Sequence, residues 1–535
     1  MTRRPRNCLD RGVDARRGGG DTSGLMAEPW WKSAVFYQIY PRSFADSDGD
    51  GVGDLPGITA RLDHLAWLGV DAIWVCPFYR SPMTDFGYDV ADYCDVDPLF
   101  GTLADFDRLL AEAHQRGIQV IVDWVPNHTS DQHPWFVESR SGRDSPKRDW
   151  YIWVDGEPTT RPNNWKAAFG GDAWSWDDAT GQWYLHLFLP TQPDLNWRNP
   201  DVAAAMHKTL RFWIDRGVDG FRIDVVQGLT KDPAFPDDPP GQILPHSAVN
   251  DCRDTHDVLR GLRGLAEGYS PVPLLLGEVY LLSTATVAGY VGEGDELHLA
   301  FDFTSLYAPW DAGAWRACIE EVESEFGARD AWPTWTLSNH DNPRHRTRYG
   351  GSERRARAAA VLLLTLRGAP FVYYGEELGL EDAEVPPERV VDPGGRDGCR
   401  SPLPWDGGPG HGWAGAEPWL PWSPEPEARN VAGLAAQQSS ILYLYRRILA
   451  ARRSSPALSV GSWRALESPA GVLAYERASG GDRRVSLVNF TGEAVDVAIG
   501  GHWVVEVDTD GLLEGEAFPG RLAGDAAVIL RGPVD

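Results

Sequence analysis

The chain has 535 residues, 42% of them apolar, enough for a sizeable core divided over roughly two to four domains. Fifty basic residues against 77 acidic ones leave a net charge of −27, a surface that repels nucleic acid and anionic membranes and suits a neutral substrate. No apolar run approaches the roughly 18 residues needed to cross a bilayer.

Six cysteines, Cys8, Cys76, Cys94, Cys252, Cys318 and Cys399, are scattered without a close pair. Neither a zinc site nor a disulfide framework is implied, and a reducing cytoplasm is the simplest setting. The 24 tryptophans suit sugar faces as well as cores. Residues 1–27 hold arginines, glycines and aspartates but no apolar core and no secretory h-region, so a disordered extension is expected there.

From Ala34 to Tyr40 the sequence predicts a first strand, followed by an amphipathic helix over Arg61–Gly69 that stops at a glycine. Asp71–Cys76 reads as a second strand, Leu103–Arg116 as a helix and Ile118–Asp123 as a third strand. After His128 the alternation breaks, and residues 129–200 form an irregular insertion rich in Trp, Asp, Asn and Pro. It resumes with a helix near Ala203–Arg216 and strands at Gly220–Asp224, Pro273–Glu278, His298–Phe303, Trp335–Ser338 and Pro370–Tyr374. Glu384–Pro426 is irregular again, and Leu434–Arg452 predicts a closing helix. Eight strand–helix units define an α/β fold, a (β/α)8 TIM barrel over 28–128 and 201–454. Short alternating strands such as Arg484–Asn489 and Trp503–Asp508 predict a C-terminal antiparallel β-sandwich over 455–535.

In such a barrel the loops after the strands build the active site. Polar residues gather there: Asp123–His128 after the third strand, Arg222 and Asp224 on the fourth, Gly277–Tyr280 on the fifth, Ser338–Asn342 on the seventh. Arg222 and Asp224 are two apart on a strand and point the same way, and burying both is costly unless they pair or work. Convergent carboxylates suit glycoside hydrolysis, in which one attacks the anomeric carbon and another protonates the leaving oxygen. An adjacent Arg222 favours an ionised Asp224, which makes Asp224 the nucleophile and Glu278 the acid/base. Asp341 would stabilise the charged sugar, with His128 and His340 donating hydrogen bonds to its hydroxyls.

At these four strand ends the chain resembles glycoside hydrolase family 13, the α-amylase family, with the motifs in family order. The resemblance implies a retaining α-glycosidase with Asp224, Glu278 and Asp341 as its catalytic trio, residues 129–200 as domain B and 455–535 as domain C. Gln192–Trp197 resembles a fifth family region. Thr84–Val90 and Gly395–Pro402 are similar to pocket motifs of exo-acting α-glucosidases and oligo-1,6-glucosidases, in which an aspartate and an arginine clamp the terminal glucose. Here that implies Asp85 and Arg400, with Tyr88 as a stacking platform and Arg396 as a rival for the clamp.

Asp46–Asp54 places carboxylates at Asp46, Asp48, Asp50 and Asp54, with a carbonyl at Val52, on the alternate spacing of a calcium loop. The glutamate at position twelve of an EF-hand is absent, so one structural Ca2+ is expected, with Mg2+ as the alternative. The expected activity is release of terminal glucose from short α-glucosides by a monomer or homodimer that binds neither nucleic acid nor membrane. A trehalose synthase-like isomerase or transglycosylase is the alternative. A non-catalytic transporter subunit would need a membrane anchor and lost carboxylates, neither of which is seen. For linkage, Val225 resembles the valine of α-1,6-acting relatives, whereas Gly228–Pro233 look more like some α-1,4-glucosidases.

Overall fold

The computed structural model describes residues 28–240 and 250–532, so the expectation for residues 1–27 lies outside the described residues. Eight parallel strands form one sheet: β1 (Phe36–Ile39), β2 (Ala72–Val75), β3 (Gln119–Trp124), β4 (Gly220–Ile223), β5 (Leu274–Glu278), β6 (Leu299–Phe301), β7 (Thr334–Thr336) and β8 (Ala369–Tyr373). Their order is β6-β5-β4-β3-β2-β1-β8-β7, so the sheet curls until its two ends meet. No backbone ladder joins β6 to β7. Thr334 closes that seam with its side chain, its Oγ1 donating to Ala300 O at 3.0 Å and accepting from Asp302 N at 3.4 Å. Apart from Gln119 and Glu278 at strand ends, which are half-buried, the strands are buried, since helices cover the outside and side chains fill the inside.

Helix ends follow from local sequence. Thr102 and Asp105 form a capping box at the start of Leu103–Gln115, and Gly69 ends Leu62–Leu68 in the left-handed conformation at φ 99°. Asn199 caps Pro200–Ile214, the helix that delivers the chain to β4. The predicted closing helix is observed as two pieces, Val431–Ala435 and Ile441–Ser454.

Between β3 and that capped helix lies an antiparallel three-stranded sheet of Trp153–Asp155, Gln182–Leu185 and Trp174–Asp177. It encloses a small core of Trp165, Trp174, Trp183, Leu185 and Leu187. After the barrel, five antiparallel strands form a sheet and a two-stranded ribbon, Val495–Asp496 with Arg521–Leu522, lies over one face of it. One face, with Leu473, Tyr475, Val488 and Ile529, joins the barrel core. The other, with Ala474, Val485, Leu487 and Leu530, makes a second core with Leu522 of the ribbon. The sandwich is therefore unequal, with one of its two layers reduced to a ribbon.

One fully buried arginine of this sheet, Arg477, and one of the closing helix, Arg452, bind backbone carbonyls around the helix Glu353–Thr365 and the segment after it. Arg477 donates to Thr365 O at 2.7 Å and Gly461 O at 2.9 Å, and Arg452 to Gly368 O at 2.8 Å and Leu364 O at 3.0 Å. Burial pulls the Arg477 guanidinium down to about 9 and that of Arg452 to about 10. Among the described residues no helix is long and apolar enough to cross a membrane.

Candidate active site

Parallel pairing sets Arg222 on β4 opposite Asp123 on β3. The Arg222 guanidinium, 1% exposed, distributes its charge over three carboxylates. Its Nη1 lies 2.7 Å from Asp123 Oδ1 and 2.5 Å from Asp224 Oδ1, and its Nη2 is 2.7 Å from Glu278 Oε2. One cation cannot neutralise three anions in a water-poor site. Burial, reinforced by Glu278, pushes Asp123 up to about 6 even against the pull of Arg222. Burial and the carboxylates of Glu278 and Asp123 likewise raise Asp224 well above the ordinary range, so Arg222 does not secure its ionisation as expected, because its charge is shared with the other two.

The turn after β4 explains why Asp224 stands at the rim. Val225 adopts φ 46°, ψ 47°, a conformation that β-branched residues rarely take. Val226 then drops into the core against Gly277, where an added Cβ would come within 3.0 Å of its Cγ2. The left-handed step also aims the Val225 N–H at Glu278 Oε2, 3.2 Å away.

Asp341, after β7, meets the opposite electrostatics. Burial opposes its ionisation, but His340, Arg396 and Arg400 hold it well below the usual carboxylate range. Its Oδ1 lies 2.8 Å from Arg396 and 3.2 Å from Arg400, and its Oδ2 is 3.1 Å from His340 Nε2. The His340 ring stacks on Tyr88 with 4° between planes, and burial pulls its pKa down to about 3. Gln38 on β1 fixes the ring from behind at 2.8 Å.

The arginine opposite Asp85 is Arg396. Its Nη2 lies 2.8 Å from Asp85 Oδ1 and 2.6 Å from Asp392. Arg400 is fully buried and donates to His340 O at 2.7 Å, Asp341 and Asp392, while its charge also acts on Asp85. Both arginines sit in one loop four residues apart, and only the short helical turn Asp397–Arg400 decides which of them faces the site. Gln192 donates to Asp85 Oδ2 at 3.0 Å and lies 3.2 Å from His128 Nε2. Asp392, Gln38 and Asp123 therefore belong to the site as well. Asp123 had the visible signal of a carboxylate on a core strand, while Gln38 and Asp392 had none at the level of sequence.

These groups surround a cavity of about 560 Å³, lined by Asp85, Tyr88, His128, Asp224, Glu278, His340, Asp341 and Arg396 together with Phe169, Phe188, Tyr280 and Phe303. Apolar walls with a few convergent polar groups are the usual make-up of a small-molecule site.

After β1, Asp46, Asp48 and Asp50 each turn one oxygen inward, the three within 4.8 Å of one another. Asp46 accepts from Gly49 N at 2.7 Å and Gly51 N at 3.0 Å, and Asp50 accepts from Val52 N at 2.8 Å. Gly51, at φ 90°, presses so close to Glu417 O that a Cβ would lie 2.4 Å from it. Asp54 stands outside the trio. One of its oxygens caps the helix Leu55–Ala60 by accepting from Gly57 N at 2.6 Å, and the other accepts from Ser47 N at 3.0 Å and Ser47 Oγ at 2.8 Å. Three converging carboxylates fit a hard divalent cation, with Asp54 bracing the loop.

A barrel that gathers three carboxylates at the C-terminal ends of its strands, one arginine shared between two of them, is built for glycosidic-bond chemistry. The chain belongs to the α-amylase family, whose catalytic domain it matches over residues 38–461. It is 43% identical to a probable α-glucosidase of Rhizobium meliloti (strain 1021), over 89% of this chain and 92% of that one. It is 35% identical to an oligo-1,6-glucosidase of Parageobacillus thermoglucosidasius, over 87% and 91%. The crystal structure of an α-glucosyl transfer enzyme, XgtA, superposes with a TM-score of 0.88 at 42% identity, covering 94% of this chain and all of the other.

Proposed function

We propose that the protein is a retaining, exo-acting α-glucosidase that releases terminal non-reducing glucose from short α-glucosides. The observation that carries this is the pair Asp224 and Glu278, both bonded to the single guanidinium of Arg222. Two carboxyl groups gathered on one guanidinium suit the short spacing of a retaining pair better than the wide spacing that holds an inverting enzyme's water. Asp224, with the shorter contact to Arg222, attacks the anomeric carbon while Glu278 gives its proton to the departing glycosidic oxygen. A glucosyl ester on Asp224 results. Glu278, now ionised, takes a proton from water as that water attacks the same carbon, which frees glucose and restores both carboxyl groups. Asp341, kept ionised by His340 and its two arginines, faces the positive charge that develops on the sugar.

The exo preference rests on Asp85 and Arg396. Their ion pair lies in the cavity wall together with His128 and Tyr88, where it would bond the hydroxyls of a chain end and obstruct a longer chain. Arg400 supports that wall from behind by bonding Asp341 and Asp392. A divalent cation, calcium or magnesium, held by Asp46, Asp48 and Asp50 would stiffen the loop after β1 and take no part in the chemistry. Likeness to an α-glucosyl transfer enzyme supports a second reading, in which a sugar hydroxyl replaces water in the second step.

Glucose release from maltose, isomaltose, sucrose and trehalose, measured side by side, tests the assignment. Release of glucose with the α configuration from at least one of them is expected, with isomers or longer products marking transfer. No glucose from any of the four, or β-glucose as first product, would overturn the reading.

A further inference from the structure

Behind the cavity wall, Lys231 is buried at 3% exposure on the turn that follows β4. Its ammonium lies 2.7 Å from Asn127 Oδ1 and 2.8 Å from Asp194 Oδ2. An ammonium group only donates, so the Asn127 oxygen must face it. The Asn127 nitrogen then points the other way, to Asp194 Oδ2 and to His128 Nδ1, each at 3.1 Å. An amide nitrogen also only donates, so His128 Nδ1 must accept. Burial pulls His128 down to about 4, which leaves the ring neutral with a single proton. That proton sits on Nε2.

Nε2 faces a second donor. Gln192 Nε2 is 3.2 Å away, and its amide cannot turn over, because Leu189 N donates to its oxygen at 3.1 Å and its nitrogen donates to Asp85. Two N–H groups confront each other there, and the Tyr88 backbone carbonyl also draws on the ring's proton. His128 lines the cavity, so a hydroxyl oxygen of a bound sugar can take up the same proton.

We infer that Lys231 is a positioning residue: by orienting the Asn127 amide it keeps the His128 proton on Nε2, as a donor to a hydroxyl oxygen of the bound sugar. The inference rests on the glucosidase reading for the identity of the acceptor, and on the protein alone for the tautomer. A Lys231 that merely neutralised Asp194 would be replaceable by any neutral pair of similar size. A Lys231 that orients Asn127 would not, because Asn127 could then turn over and His128 could shift its proton to Nδ1.

The double variant Lys231→Met/Asp194→Asn separates these roles, since it removes both charges together. In the full chain labelled with 15N-histidine, with His128→Gln to assign the signal, the wild type should place the proton on Nε2 of His128. The double variant should move a large share of it to Nδ1 while its Tm stays within about 3 °C. KM for p-nitrophenyl α-glucoside should rise roughly tenfold with kcat changed less than about threefold, a split characteristic of lost binding. An Nδ1 proton in the wild type, or an unchanged Nε2 proton in the double variant, would overturn the inference whatever the substrate. A moved proton with an unchanged KM would instead overturn the sugar contact. If glucosides are not turned over at all, the proposed function fails while the tautomer measurement still stands.

Discussion

The backbone N–H of Val225 points at Glu278 Oε2 over 3.2 Å from a residue held at φ 46°. A strained backbone thus aims the proposed acid/base. Val225→Gly relieves about 1–2 kcal/mol of left-handed strain but costs about 1 kcal/mol of unfolded-state entropy. Stability should stay within about 1 kcal/mol of wild type, while kcat falls severalfold as the turn loosens. Calorimetry and steady-state kinetics measure both; a large loss of stability would mean that Val225 is not strained.

Replacing the nucleophile should separate stability from activity. The folded-state pKa of Asp224 lies above its unfolded value, so the native protein binds that proton more tightly than the unfolded chain does. Its contribution is favourable at low pH and is lost as pH rises from the unfolded pKa through the folded one. Asp224→Asn should therefore raise Tm near pH 7, with the gain shrinking as pH falls below about 4, where both states become protonated. Turnover should fall on the order of 10³- to 10⁵-fold. An activity loss below tenfold in pure protein would remove Asp224 from the chemistry.

Arg396 and Arg400 should respond differently. Arg396 faces Asp85, so Arg396→Lys should raise KM at least about tenfold, because a point charge cannot serve Asp85, Asp341 and Asp392 at once. Arg400 is fully buried and bonded to a backbone carbonyl, so Arg400→Lys should destabilise by about 3 kcal/mol or more. Denaturant unfolding and KM measured on both variants would test the division, and a reversal would return the clamp to Arg400.

Metal removal should act on stability alone. Dialysis against a chelator should lower Tm by several degrees, and calcium at about a hundred times its Kd should restore about 2.7 kcal/mol. Asp50→Asn should abolish the calcium response with kcat little changed at 25 °C. A chelator with no effect on Tm would remove the cation from the loop.

The barrel was legible because its strands are apolar runs that end in charge, a pattern that packing alone does not produce. Asp224, Glu278 and Asp341 were legible for the same reason. Contacts between distant segments were not, since Gln38 on β1 and His340 after β7 are 302 residues apart. Arg396 and Arg400 were indistinguishable because both lie in one irregular loop. Asp54 fitted a ligand spacing, yet its position before Leu55 and Pro56 also suits a helix cap, and the backbone donors of Gly57 and Ser47 engage both its oxygens. The seam between β6 and β7 depends on one threonine hydroxyl, which strand patterns do not reveal.

Arg452 and Arg477 reach across to carbonyls at the end of the helix Glu353–Thr365 and just beyond it, immediately before β8. Those carbonyls lie where a helix leaves its last oxygens without partners. Cutting the chain near residue 455 would strip Arg477 from that site and expose an apolar face of the barrel. A minimal enzyme made by trimming the C-terminal sheet should therefore aggregate rather than turn over sugar, and transplanting that sheet between relatives should succeed only when the helix end travels with it.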